Sequence, residues 1–184
     1  CYVTIPFRMK LLTLKFILVF IYLISSSSSY AIQELNFKNL VIHKNPKKLE
    51  IVNFQDINNE TINLSKFKNS LIIINFWATW CAPCIEEMPS LNKLQTNLNF
   101  NNLKIIPINV GRDSIKKSKN FYKKLKLNNL KIYFDNDIEL ANKFSLRGLP
   151  TTVLINKEGK EFARIIGFID FNDKKFIKWL KQYD

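Results

Sequence analysis

The sequence predicts an α/β domain: a mixed central sheet with helices on both faces and an N-terminal β-hairpin extension. Three observations predict it. Residues 71–77 and 103–110 are apolar on both faces, as strands covered on two sides must be, and a helical pattern separates them. Residues 151–155 and 161–167 flank Lys157-Glu158-Gly159-Lys160, the pattern of an antiparallel hairpin. The helical segments carry one apolar stripe each, so they pack on a sheet and do not stand alone.

The elements follow in order. Residues 32–48 are mixed and polar and read as a loosely packed lead-in; its His43 reads as a surface residue. Residues 49–54 and 61–64 read as two short strands around the turn Asn58-Asn59. After the buried strand 71–77, residues 83–98 are helical, with Ile85, Met88, Leu91, Leu94 and Leu98 at helical spacing. Pro89 lies inside that helix and should kink it. Strand 103–110 precedes a Lys-rich helix, 114–127. A short strand, 131–134, and a short helix, 138–144, lead to the hairpin. Residues 173–183 close the chain as a helix with Phe176, Ile177 and Leu180 inward. No linker and no internal repeat interrupts the pattern.

The chain has 184 residues, enough for one domain with its own core. The domain is expected over 32–184, its core over about 45–184. Residues 1–31 read as an upstream extension followed by a secretory signal peptide, with Met9 as the start. Lys10 and Lys15 charge its first part, residues 16–24 are unbroken apolar sequence, and Ser29-Tyr30-Ala31 is a small-x-small cleavage pattern. The apolar run is short of the roughly 20 residues that a comfortable span needs. An uncleaved membrane anchor is the alternative. Cys1 has no apolar run ahead of it and is not read as a lipidation site.

The formal net charge is +13. Such a balance can serve nucleic acid or an anionic membrane. Here the excess is spread along the chain, and its densest cluster, Lys116 to Lys126, shares a helix with Ile115, Phe121, Tyr122 and Leu125. That reads as a solvated face of an amphipathic helix, and no nucleic-acid partner is expected.

The chemistry concentrates in Trp80-Cys81-Ala82-Pro83-Cys84, where the buried strand ends and a helix begins. Cys81 and Cys84 are the only cysteines after residue 31. A disulfide across so short a loop adds little stability, so the pair is better explained by redox chemistry. The first thiol lies at a helix N-terminus, where unpaired N–H groups and the macrodipole favour a thiolate. Such sites lower a thiol pKa to roughly 3.5–7.5. Cys84, one turn further in, is the more buried and resolving thiol. Zinc needs about four ligands, more than two cysteines and one histidine offer. Haem attachment needs His where Ile85 stands.

Two separated signatures resemble the thioredoxin superfamily, and most closely its exported TlpA/ResA-like branch of thiol-disulfide oxidoreductases. The first is Asn75-Phe76-Trp77-Ala78-Thr79-Trp80-Cys81-Ala82-Pro83-Cys84 with Glu87 and Pro89; the second is Gly148-Leu149-Pro150-Thr151-Thr152-Val153-Leu154-Ile155 with Asn156-Lys157-Glu158-Gly159. The resemblance implies the thioredoxin fold, exchange through a Cys81 nucleophile and a Cys84 resolving thiol, and no cofactor beyond a redox-active Cys81–Cys84 disulfide. It implies that Glu87 tunes the cysteines and relays the proton of Cys84. It makes Pro150 a cis-proline facing the cysteines and Leu149 the backbone beside Cys81 where a partner strand adds. Asn75 stands where generic thioredoxins carry a buried acid; a polar residue in so apolar a strand needs a hydrogen-bond partner. Trp80 and Pro83 are expected at the docking surface, Trp77 in the core, Glu86 in solvent.

The resemblance also implies a periplasmic or other extracytoplasmic monomer that reduces exported protein disulfides. Its expected partners are protein dithiols and disulfides, with apocytochrome c first, and a membrane-embedded electron donor. Two other classes remain. A copper metallochaperone of this fold needs a longer cysteine spacing and a distant histidine. A non-catalytic binding module would use the fold without the cysteines.

Overall fold

The computed structural model describes residues 37–184. The signal-peptide and start-site expectations fall outside them, as do residues 32–36 of the lead-in. The elements are β1 (Leu40–Lys48), β2 (Asn53–Gln55), β3 (Thr61–Asn63), β4 (Leu71–Trp77), α1 (Ala82–Leu94), β5 (Leu103–Asn109), α2 (Ile115–Leu125), β6 (Tyr133–Phe134), α3 (Glu139–Lys143), β7 (Thr151–Ile155), β8 (Lys160–Ile166) and α4 (Lys174–Leu180). One eight-stranded sheet runs β1-β8-β7-β4-β5-β6-β2-β3. β4, β5 and β6 are parallel; β7, β8, β1 and the β2–β3 hairpin add antiparallel.

Every residue of β4 is buried because both sheet faces are covered. Leu71, Ile73 and Trp77 join one core with Met88, Leu91 and Leu94 of α1, Tyr122 of α2 and Phe176 of α4. Ile72, Ile74 and Phe76 join the other with Phe54, Leu64, Ile106, Ile108, Leu140 and Phe144. The period of two in the strand thus divides the side chains between the two faces. Asn75 shares the parity of Ile73 and Trp77, which sends its amide toward α1.

Four expectations are corrected. Part of the lead-in is an edge strand, with Leu40 opposite Ile165 and Lys48 opposite Lys160. Lys44 to Lys48 carry no apolar alternation, so pairing with β8, not local pattern, makes the strand. The register slips between Ile42 and Lys47, and Pro46 falls in that slip, where no ladder N–H is required. His43 is not a free surface residue: its Nε2 lies 2.9 Å from Glu161 Oε1. Burial works to raise the Glu161 carboxyl, but Arg164 and His43 together hold it below the ordinary carboxylate range.

Helix α1 stops at Leu94, and Leu98 is fully exposed. Gln95, the C-cap with helical backbone, bridges to β5 through its side chain: Nε2 donates to the Leu103 carbonyl and Oε1 accepts from Ile105 N–H. Asn97 then turns the chain by accepting from Asn99 N–H. Ile85, expected inward, is exposed.

Candidate functional site

β4 delivers the chain to a tight turn, closed by Cys81 N–H donating to the Ala78 carbonyl at 3.2 Å. Cys81 is the N-cap of α1, with extended φ and ψ, and Pro83 occupies the first turn, where a missing N–H costs nothing. The Cys81 carbonyl accepts the Ile85 N–H at 3.1 Å. Cys81 Sγ accepts the Cys84 N–H at 3.3 Å, so a sulfur takes the place of the usual capping oxygen. The two cysteines are joined in a disulfide with their Cα atoms 5.2 Å apart. Cys81 is 5% exposed and Cys84 fully buried. Trp80, immediately before, is 65% exposed, whereas Trp77 is buried against Phe121, 4.8 Å between centroids.

Glu87 lies one turn beyond Cys84 on the same helical face and is also fully buried. Its partner comes from β4: Asn75 Nδ2 donates to Glu87 Oε1 at 2.7 Å and to Thr152 Oγ1 at 3.0 Å. Glu87 Oε2 and Asn75 Oδ1 are buried without partners. Burial therefore dominates and raises the Glu87 carboxyl to about 8. The Asn75 bond opposes this, as does the nearby Ile169 backbone N–H. The Asn75 amide thus removes an acid from the strand while the helix supplies one at the same place. Glu86 is exposed.

The Leu149–Pro150 peptide is cis. Pro150 lies at the head of β7 and accepts the Gly167 N–H at 2.8 Å, and Leu149 packs against both cores. Thr151, next to it, pairs with Phe76, so this corner abuts the end of β4 from which the Cys81 turn departs.

The sequence reading missed the loop after β5. Asp113 accepts the Thr79 N–H at 2.8 Å and the Thr79 hydroxyl at 2.7 Å, so it grips the turn before Cys81. Gly111 lies beneath the same turn. A Cβ there would fall 2.5 Å from Ala78 Cβ and 3.0 Å from Trp80 Nε1. The available signal was one of only four glycines, placed directly after a buried strand. Gly111→Ala is expected to cost about 1–3 kcal/mol through overpacking. A urea midpoint equal to that of the parent protein would show that the turn yields freely.

Residues 46–160 match the AhpC/TSA family model. A thiol-disulfide oxidoreductase ResA of Bacillus subtilis (strain 168) is 34% identical over 113 residues, 61% of this chain and 62% of that protein. The chain thus spans 62% of the length of that curated relative. Among solved structures, a thiol:disulfide interchange protein of the thioredoxin family from Chlorobium tepidum TLS superposes with a TM-score of 0.64 at 22% identity, covering 77% of this chain and 98% of that one. The exposed lipoprotein thioredoxin Etrx1 of Streptococcus pneumoniae strain TIGR4 superposes at 0.61 with 25% identity, covering 72% and 99%.

Proposed function

The chain belongs to the AhpC/TSA family and has the thioredoxin fold, and on that footing we propose that it is a thiol-disulfide oxidoreductase acting through Cys81 and Cys84. The observation that carries the reading is the N-cap position of Cys81 Sγ, which accepts a backbone N–H and meets the positive end of α1. In the reduced protein the same N–H and dipole stabilise a thiolate. That thiolate attacks one sulfur of a substrate disulfide, forming a mixed disulfide and releasing the other sulfur as a thiolate. Cys84 then loses its proton and attacks Cys81 Sγ. The Cys81–Cys84 disulfide closes, the second substrate sulfur leaves, and two electrons have passed to the substrate.

Glu87 suits the second step. Near neutral pH it is mostly protonated and sets no negative charge beside an ionising Cys84, while the minor carboxylate fraction, which grows as pH rises toward 8, is the form that takes up the proton Cys84 releases. Trp80 supplies the exposed apolar contact for docking, with Pro83 beside it. Leu149 and Pro150 offer backbone for a partner segment to pair with.

The substrates we propose are disulfides of exported proteins, with apocytochrome c first. The location is extracytoplasmic, and a membrane-embedded donor would renew the dithiol. These follow from the resemblance to the TlpA/ResA-like branch and from the leader pattern of residues 9–31.

Cys84→Ser tests the reading. Incubated with a protein carrying an accessible disulfide, the variant should accumulate a covalent adduct through Cys81 that dithiothreitol releases. Adducts mapped to position 84 of the reverse variant, Cys81→Ser, or no adduct at all, would sink the assignment.

A further inference from the structure

Asp113 has a natural local use that it does not take. It directly precedes α2, yet the cap of that helix is Ser114, whose Oγ accepts the Lys117 N–H. The Asp113 carboxylate caps no N–H of its own helix; it reaches the turn that carries the cysteine and pairs with Lys117. Its side chain is 2% exposed, and both of its oxygens are hydrogen-bonded. Oδ2 accepts from Thr79 N–H and from Asn109 Nδ2 at 2.9 Å; Oδ1 accepts from Thr79 Oγ1 and from Lys117 Nζ at 2.6 Å. Asn109 is itself held, its Oδ1 accepting the Gly111 N–H at 2.9 Å. Burial works to raise the carboxyl, but Lys117, Asn109 and both groups of Thr79 hold it down at about 2, so it stays ionised through the physiological range.

We propose that Asp113 is a positioning residue of the Cys81 site: by gripping Thr79 at two points it fixes the Ala78–Cys81 turn, holding Trp80 over Gly111 and Cys81 Sγ on the end of α1. Thr79 is the second residue of that turn, and Trp80 the third. Two bonds to one residue remove its freedom to rotate, which a single bond would leave. Gly111 then sets the height at which the Trp80 indole can lie. The anchor is an acid, but its action at sulfur is geometric. Lys117 compensates the charge at contact distance, and the paired field falls off steeply with distance.

The meaning of this role rests on the exchange reading, but its test does not need a substrate. In the reduced protein, alkylation of Cys81 by iodoacetamide is followed at pH 7, and the Cys81–Cys84 couple is equilibrated with glutathione. Asp113→Ala should slow alkylation about fivefold, the scale of one lost hydrogen bond, and Thr79→Val, which keeps the backbone bond to Asp113, should slow it by less. Each should also shift the equilibrium severalfold toward the disulfide, because the thiolate loses its fixed donor. The double variant should do no more than Asp113→Ala alone, since that change already removes the Thr79 hydroxyl bond. Ser114→Ala is the matched control: it removes the helix cap and lowers the melting temperature but leaves the glutathione equilibrium in place. Additive effects of Asp113 and Thr79, faster alkylation in Asp113→Ala, or an equal shift in Ser114→Ala would overturn the proposal. Thr79→Val keeps the test open if Asp113→Ala does not fold. Failure of the Cys84→Ser adduct to form would sink the exchange reading and leave these measurements valid.

Discussion

A Cys81→Ser variant is expected to lose thiol-disulfide exchange by more than about 10³-fold while keeping its fold. The two halves of this expectation have separate causes. Exchange needs a sulfur nucleophile, and a hydroxyl in the same place is neither ionised near neutral pH nor able to form the mixed disulfide. Cys84 is not a substitute, because it is fully buried behind the first turn of α1. The fold is spared because serine is itself a favoured N-cap, so its oxygen can accept the Cys84 N–H that Sγ accepts now. The lost disulfide closes only a short loop, and its removal should cost about 2 kcal/mol. The measurement pairs a coupled protein-disulfide reduction assay with a urea titration of the reduced parent. Exchange surviving within tenfold would mean that Cys84, or a different group, is the nucleophile.

The contrast between the Cys81 motif and its supports shows what the sequence could disclose. β4, the start of α1 and the β7–β8 hairpin were legible because each is fixed by residues adjacent in the chain. An apolar run on both faces, a proline in the first helical turn and a Glu-Gly turn all act locally. Asn75 was legible as an amide needing a partner, and the partner is Glu87, twelve residues on. The supports that were missed act across the sheet. β1 is a strand only because β8 is there to pair with it. His43 meets Glu161 across 118 residues, and the Asp113 grip on Thr79 spans 34. Neither has a periodic signature, since a single contact repeats nothing. The end of α1 was missed for a related reason. Leu98 continues the helical spacing, but the Gln95 side chain is tied across to β5 and the next residues close into tight turns, Thr96 N–H on the Lys93 carbonyl and Asn97 N–H on that of Leu94.

Glu87→Gln should make the protein more stable at alkaline pH and slower to resolve mixed disulfides. The buried carboxyl titrates at about 8 in the folded protein and at the ordinary 4.5 when unfolded. Between those values the folded chain keeps a proton that the unfolded chain has released. The stability this group contributes is therefore complete below 4.5 and lost as pH rises through about 8. Glutamine cannot ionise, so its variant lacks that slope. It preserves the Oε1 acceptor for Asn75 and places its amide nitrogen where Oε2 now has no partner. At pH 4.5 the two proteins should agree within about 1 kcal/mol; at pH 8 the variant should lead by on the order of 4 kcal/mol. Urea titrations of the oxidised proteins at both values read this directly. A constant difference across pH would mean that Glu87 ionises normally. The kinetic half follows from position: Cys84 and Glu87 are both buried on one face of α1, out of reach of bulk water. With no group to take up the Cys84 proton, closure of the Cys81–Cys84 disulfide should slow by about 10²-fold, while attack by Cys81 on substrate is unchanged. Stopped-flow traces would then show mixed disulfide building up in Glu87→Gln. A variant that resolves as fast as the parent would free Glu87 of the proton-transfer role and leave it only the charge-neutral filling of the space beneath Cys84.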